Sequence, residues 1–511
     1  MMYGEEKSDS LIVAANLANN PKGAESVERR SGAKGNAEQP HMRRTQSRES
    51  MSQRLSRVRE AAKQRKKERF TALFHLLTAE ALENAFLSLS RKAAAGVDGV
   101  RWKDYAENLK VNIADLHRRL HQGSYRAQPG RRHYIPKADG KQRPLGIASL
   151  EDKIVQYALV KILNAVYEND FMGFSYGFRP GRSQHNALDA LATGLVRTNV
   201  NWVLDADISQ FFDKVSHEWL IRFIEHRIGD QRVIRLIRKW LTAGTSEEGE
   251  WRASEEGEWR ASEEGEWRAS EEGTPQGAVI SPLLANIYLH YVFDLWAHQW
   301  RRRHATGNVV MVRYADDIVI GFDKRIDAQC FRIAMQRRLK EFGLTVHPKK
   351  TRLMEFGRFA AENRASRGKG KPETFNFLGF THISGKDRSG RFMLIRKTRR
   401  DRMTATLKAI KDGLRKRWHY SIPEQGKWLR RVVQGYLNYH SVPGNYPMMR
   451  KFRIYVTDLW RRALRRRSQQ DDTTWTKANR LAAVWLPKVR VLHPWPVERF
   501  TARHPRQEPG A

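Results

Sequence analysis

The chain has 511 residues, 40% of them hydrophobic, with 93 Lys or Arg against 56 Asp or Glu and a formal net charge of +37. That length suggests two to four domains with real cores, and the charge points to a polyanionic partner, because neutralised phosphates release counterions and supply sequence-independent affinity. The single cysteine, Cys330, excludes an intramolecular disulfide and every zinc site that needs two thiolates.

No run approaches the ~18 apolar residues of a membrane span. The first thirty residues lack the basic-then-apolar order of a signal peptide, so a cytoplasmic protein without a membrane partner is expected. Residues 1–50 are polar, with little periodic hydrophobicity, and read as disordered. Residues 51–94 read as a basic helical extension, with a helix over 52–69 and an amphipathic stretch to Leu89. A globular texture begins near Gly96, and Trp102 to Leu120 reads as helix. His133–Pro136 and Pro144–Ile147 flank a basic tip that runs from Lys137 to Arg143, which is a β-hairpin pattern, and helix is expected from Leu150 to Tyr167.

Residues 246–273 hold an internal repeat. SEEGEWRA starts at Ser246, Ser254 and Ser262, and a partial fourth unit follows. The window contains eleven Glu and three Arg, a net −8 inside a strongly positive chain. Its period of eight is far below the roughly 20–50 residues of solenoid units, so it reads as tandem duplication at a tolerant hairpin tip. An acidic partner-binding loop is the other reading. The opposite charge collects between Arg391 and Arg467, where 22 Lys or Arg stand against 4 Asp or Glu, a net +18. Aromatics interleave with it: Trp418, Tyr420, Trp428, Tyr436, Tyr439, Tyr446, Phe452, Tyr455 and Trp460. Such alternation suits single strands and folded RNA, or else the aromatics form a helical core. The candidate RNA contacts here are Arg399, Arg400, Arg402, Arg415, Lys416, Arg417, Arg430 and Arg431.

The chemistry is expected at acids. Asn308–Arg313 and Ile318–Phe322 are apolar strand candidates that enclose Tyr314-Ala315-Asp316-Asp317, a hairpin tip projecting charge. A third β-like run ends in Asp205-Ala206-Asp207, with both acids on one face by strand alternation. If these strands are neighbours, three or more carboxylates converge and need cations, since close like charges raise one another's pKa. An all-oxygen site of this kind suits Mg²⁺, and two such ions can activate a hydroxyl and stabilise a leaving pyrophosphate.

Eight segments in order resemble the bacterial group II intron reverse transcriptase/maturases. They are AGVDGV (95–100), IPK…GKQRPLGI (135–147), YGFRPGRS (176–183), DADISQFFDKVSH (205–217), GTPQGAVISPLLANIYL (273–289), RYADD (313–317), FGLTVHPKKT (342–351) and FNFLGF (375–380). The resemblance implies an α+β right-hand polymerase. Its fingers and palm, with an antiparallel palm sheet, would occupy 95–384, and an all-helical thumb, the maturase X domain, 385–467. It implies that Asp207, Asp316 and Asp317 are catalytic and bind two Mg²⁺, with Mn²⁺ as a possible substitute. The Ile208 carbonyl would be a further ligand and Asp205 a supporting acid. Lys137 and Arg143 would hold the triphosphate of the incoming dNTP, Gln276 would lie against its sugar, and Phe212 would exclude a ribose 2′-hydroxyl. Lys350 matches a lysine credited with protonating pyrophosphate. Intron RNA and a target-DNA primer are the implied partners.

Two features depart from that family: Ala278 stands where a second glycine is usual after TPQ, and the octapeptide is repeated. Residues 468–511 contain no cysteine, so the zinc endonuclease of some relatives is not expected there. Trp475, Trp485 and residues 486–496 read as a packed tail, either contacting DNA or capping the thumb. The expected activity is RNA-templated DNA synthesis joined to intron-RNA binding. The alternatives are an RNA-binding splicing cofactor with little polymerase activity, or a domesticated reverse transcriptase of the defence or retron type.

Overall fold

The computed structural model describes residues 50–136, 142–246, 251–253, 259–261, 267–268, 272–274, 277–467 and 473–503. Residues 1–49, read above as disordered, lie outside it, as do Lys137, Gln276 and much of the repeat. Contacts divide the rest into two units, one from 50–171 and 212–289 and the other from 172–211 and 290–503.

The first unit begins with helix Met51–Gln64, whose N-terminus carries a capping box between Ser50 and Gln53. The helix ends at Gln64 rather than near residue 69. The reason is Arg227, which is buried and donates to the Arg65 and Glu68 carbonyls at 3.0 and 2.6 Å while pairing with Asp170 at 2.7 Å. Bending the chain here gives that guanidinium the oxygens it needs. The helix expected from Trp102 to Leu120 is two pieces, Trp102–Glu107 and Leu109–Gln122, because Asn108 leaves helical geometry at φ −117° and ψ 35°. Helix Leu150–Tyr167 has the expected bounds. Ser149 Oγ accepts from the Asp152 amide at 3.2 Å, and Glu151 and Asp152 suit the positive end of the helix dipole.

The basic hairpin is present as strands Gly130–Pro136 and Gln142–Ile147, with Ile135 opposite Arg143. Two short strands extend the same sheet. Thr245–Ser246 runs parallel to Gly130–Arg131, and Trp267–Arg268 pairs antiparallel with Thr245–Ser246. Between them Trp251–Ala253 and Trp259–Ala261 pair only with each other. Each octapeptide thus contributes one Trp-Arg strand, and the strands of the first two copies pair with each other. The outer pair is Ser246 opposite Trp267. In a single-copy sequence the same Ser and Trp would close a four-residue loop, a common hairpin length.

The second unit is built on an antiparallel sheet ordered Arg352–Glu355, Trp202–Asp207, Asp317–Phe322, Val309–Tyr314. Val309–Val312 and Ile318–Phe322 are buried on both faces; helix Gln184–Arg197 packs on strand Val309–Tyr314, and helix Arg325–Glu341 packs on Trp202–Asp207 and Asp317–Phe322. A second sheet, Phe375–Phe377, Phe380–Lys386 and Phe392–Thr398, follows. The expected domain boundary at 384/385 falls inside the middle strand of that sheet, and the helices begin only at Arg400. Helices Arg400–Arg415, Ile422–His440 and Tyr446–Arg465 then enclose a core that includes Ile410, Leu414, Leu429, Val433, Phe452 and Trp460. Residues 473–503 are a packed cap on this unit. Helix Trp475–Trp485 covers the last two of those helices, and Arg499 of helix Pro496–Arg503 donates to Asp189 at 2.9 Å. No helix among the described residues is long and apolar enough to cross a membrane.

Because the outer pair of the repeat insert is the single-copy pair, deleting Ser246–Ala261 should keep the fold. The midpoint of thermal unfolding is expected to stay within about 3 °C of the parent, since the strands removed pair only with each other. A larger fall, or loss of the cooperative transition, would show that the inserted hairpin is structural.

Candidate active site

Strand pairing in the second unit puts the acids together. Asp207 is directly opposite Asp317, and Asp205 lies opposite Val319, two residues along and on the same face. Tyr314 and Asp317 close a turn in which Ala315 and Asp316 are the two loop residues. Ala315 has φ +56°, the left-handed value that usually calls for glycine. It is held by its surroundings: an added Cβ on Gly177 would collide with the Ala315 amide, so the two backbones meet without side chains between them. The arginines of the 176–183 motif serve this loop too. Arg179 is buried and donates to the Met172 and Ser175 carbonyls at 2.8 and 2.9 Å, and Arg182 donates to Ser175 at 3.1 Å.

Carboxylate crowding shows in the ionisation of the site. Asp317 is pushed up from 3.8 to about 7, first by burial of its surroundings and then by Asp316, Asp207 and Asp205, with Lys350 opposing. Its carboxylate edge nevertheless reaches solvent. Asp205 rises to about 6, first by burial; Arg352 and Arg399 pull the other way and Asp207 adds to the rise. Lys350 Nζ sits 3.0 Å from Asp207 Oδ2. The segment carrying Lys350 is fixed by two backbone bonds of 2.8 Å, Ser209 N–H to the Thr345 carbonyl and His347 N–H to the Asp207 carbonyl. This bridge does not use the Ile208 carbonyl.

The donor set fits a hard cation: it is all oxygen, acidic and short of positive charge. Among the described residues no group of three or more His, Cys, Asp or Glu encloses an ion position by itself. Mg²⁺ tolerates that shortfall, because it keeps waters and takes other oxygens from phosphates.

The remaining expected residues lie in the first unit. Arg143 is exposed on its strand, and Phe212 is half-buried in the turn Phe211–Asp213. The Phe212 carbonyl accepts from the Thr274 amide at 2.8 Å, which ties this turn to the start of the TPQG segment. After that segment, the amide of Val279 donates to Gln156 Oε1 at 2.9 Å. The departure at Ala278 is harmless: the left-handed residue is Gly277, at φ +111°, where a Cβ would stand 2.9 Å from the Gly146 carbonyl oxygen. Ala278 is buried and has no positive φ.

Several expected RNA contacts are engaged within the protein. Arg399 pairs with Asp401 at 2.6 Å, Arg417 lies over the Trp428 ring at 4.5 Å, and Arg430 donates to the Val484 and Trp485 carbonyls at 3.2 and 3.3 Å. Arg400, Arg402, Arg415, Lys416 and Arg431 are exposed. Of the interleaved aromatics Tyr420, Tyr446 and Tyr455 are exposed, while Tyr436, Phe452 and Trp460 are core. The residues that sequence reasoning missed are Arg313, Asp294 and Ser175, all fully buried beneath the acidic turn. Their signal was available: a lone arginine in the run VVMVRY and a lone aspartate in HYVFDLW.

Residues 135–382 match the family model described as reverse transcriptase (RNA-dependent DNA polymerase). Protein YkfC of Escherichia coli is 39% identical over 222 residues, 42% of this chain and 54% of that protein. The group II intron-encoded protein LtrA of Lactococcus lactis is 35% identical over 239 residues, 46% of this chain and 37% of that one. An uncharacterised 91 kDa protein in the cob intron of Schizosaccharomyces pombe is 39% identical over 188 residues, 37% of this chain and 21% of that one. The chain therefore spans about half, or less, of the length of these relatives. A telomerase from Candida albicans with a telomeric RNA fragment aligns at 12% identity and a TM-score of 0.37, covering 79% of this chain and 67% of that one, too low to inform the arrangement.

A carboxyl at 3.8 when unfolded and about 7 when folded keeps its proton in the native state up to neutrality. Without a divalent cation, stability should therefore fall as pH rises from about 4 to about 7, and a cation that takes the carboxylate should bind better above that range. Mn²⁺ affinity, read by electron paramagnetic resonance, is expected to rise about tenfold between roughly pH 6 and pH 8. Asp317→Asn should flatten the rise; an equal slope in that variant would remove Asp317 from the cation site.

Proposed function

The chain carries a reverse transcriptase domain and has group II intron-encoded proteins among its relatives, and from that premise we propose that it is an RNA-directed DNA polymerase and maturase. It extends a DNA primer with dNTPs on intron RNA and binds the folded intron for splicing and mobility. One observation carries the polymerase part: Asp207 stands directly opposite Asp317 on paired strands, with Asp316 in the adjoining two-residue turn.

In this reading Asp207, Asp316 and Asp317, with the Ile208 carbonyl, hold two Mg²⁺. When bound, the ions supply activation of the primer hydroxyl and stabilisation of the leaving pyrophosphate. The protein's own groups do the rest. Arg143 and Lys137, on the basic hairpin, neutralise the incoming triphosphate. Phe212 would exclude a ribose 2′-hydroxyl, and Gln276 would lie beside the sugar. The Lys350 ammonium, 3.0 Å from Asp207 Oδ2, would be the group that gives a proton to pyrophosphate. Asp205, raised to about 6 first by burial, is a supporting acid beside the three aspartates.

The maturase part rests on the exposed cations Arg400, Arg402, Arg415, Lys416 and Arg431. They supply phosphate contacts, while the engaged Arg399, Arg417 and Arg430 hold the helical region in shape. A splicing cofactor without chemistry would have no use for adjacent acids whose burial, and then mutual repulsion, raises Asp317 to about 7.

Asp316→Ala is expected to abolish primer extension on an RNA template while intron-RNA affinity stays within about twofold, since phosphate contacts dominate that affinity. Synthesis at the parent rate in this variant would sink the metal assignment. Replacing Arg400, Arg402 and Arg431 together by Gln should weaken intron-RNA binding and make the log-log salt slope shallower by about 2, given three lost phosphate contacts. An unchanged slope would take these residues out of the RNA interface.

A further inference from the structure

The acidic turn rests on a buried ion pair that no catalytic step uses. Arg313 and Asp294 are both fully buried. The guanidinium is bidentate on the carboxylate, Nε to Oδ1 at 2.7 Å and Nη2 to Oδ2 at 2.5 Å. Two further donors are spent elsewhere: Nη2 reaches Ser175 Oγ at 2.8 Å, and Nη1 reaches the Ala315 carbonyl at 2.9 Å. That last bond enters the turn itself, at its left-handed residue.

Stability is a poor reason for such a pair. Desolvating two charges offsets most of their attraction, and apolar residues of similar size commonly do as well or better. A defined geometry is a better reason, because a planar fork with fixed donors sets the place and tilt of whatever it holds. The surroundings leave the fork no slack. Arg313 N–H donates to the Phe174 carbonyl at 2.9 Å and Tyr176 N–H to the Arg313 carbonyl at 2.8 Å, so the backbone of the strand is fixed as well. Asp294 ends the π-helical turn His290–Asp294, an irregularity that recurs at functional sites. From there it meets Arg313 beneath the turn.

We propose that the Arg313–Asp294 pair, with Ser175, is the positioning device of the catalytic turn: it holds the Ala315 carbonyl so that Asp316 and Asp317 face Asp207 at cation-binding distance. The proposal rests on the reading of these acids as cation ligands. Arg313 and Asp294 are positioning residues and touch neither cation nor substrate.

The test is the double variant Arg313→Met/Asp294→Leu in the full chain. It removes both charges and keeps the volume, so the fold and the unfolding midpoint should be retained. Mn²⁺ affinity, read by electron paramagnetic resonance without nucleic acid, should fall about ten- to a hundredfold, the usual effect of losing a group that orients metal ligands. The kcat for primer extension should fall by about a hundredfold, as misplacing reacting groups by an ångström does. KM for dNTP and intron-RNA affinity should stay at the parent values. A folded double variant with parent Mn²⁺ affinity and parent kcat overturns the proposal and leaves the pair a packing element. If the double variant does not fold, Asp294→Asn keeps the size and one acceptor oxygen and should show the same loss of Mn²⁺ affinity; unchanged affinity there overturns it equally. Failure of the cation assignment is recognised separately, since Asp316→Ala would then still extend primers.

Discussion

Repulsion among carboxylates is the constraint around which the second unit is arranged. Asp207 and Asp317 face each other across paired strands, Asp316 is next in the turn, and Asp205 is two residues behind. A chain does not place four acids so without support, because each raises the cost of ionising its neighbours. The support is visible in the cations aimed at them, Lys350 on Asp207 and Arg352 and Arg399 acting on Asp205. It is visible too in the backbone, where an alanine is kept left-handed at the apex. Strain of this sort persists only where the surroundings over-determine it, and it collects at sites that do chemistry.

The positive charge of the chain divides into two kinds with different physics. Some of it faces solvent and can meet phosphates. Another part is spent on the protein's own oxygen atoms: Arg227 on the end of the first helix, Arg179 and Arg182 on the loop beneath the turn, Arg313 on the turn itself. A guanidinium suits this work because its planar donors can satisfy several carbonyls at once and it stays charged when buried. Composition counts both kinds alike. Arg417 and Arg430 look like nucleic-acid contacts in the sequence and act as helix-end donors in the structure.

What could be read from the sequence was whatever depends on local pattern. Alternation put Asp205 and Asp207 on one face, apolar runs marked the strands around the acidic turn, and helix Leu150–Tyr167 has the bounds expected of it. What escaped was set by partners distant in the chain. The first helix stops early because of a carbonyl-seeking arginine more than 160 residues away. The one-residue break at Asn108 carries no Gly or Pro to announce it. The boundary at 384/385, implied by the resemblance, falls within strand Phe380–Lys386, and the positive run already enters the last strand, Phe392–Thr398, with Arg396 and Lys397. Arg396 is buried, within 3.7 Å of Asp189, so its charge belongs to the sheet's packing and not to an RNA-binding surface.

The acidic repeat shows how a duplication next to a polymerase motif can be tolerated. Eight residues make one short strand and one turn, so each added pair of copies can return the chain to where it left. Here the two middle strands pair with each other, and the parental pair, Ser246 with Trp267, is kept. A duplication of odd reach, or of a period that did not close on itself, would have shifted the strand register and moved every following side chain to the opposite face. At the end of the repeat, within its partial fourth unit, Glu272 bridges to Ser216, and the Gly273 and Thr274 amides bond to the Val215 and Phe212 carbonyls. The segment that leads into TPQG is thus anchored at the partial fourth unit itself. Extra length is absorbed before the chain reaches Thr274.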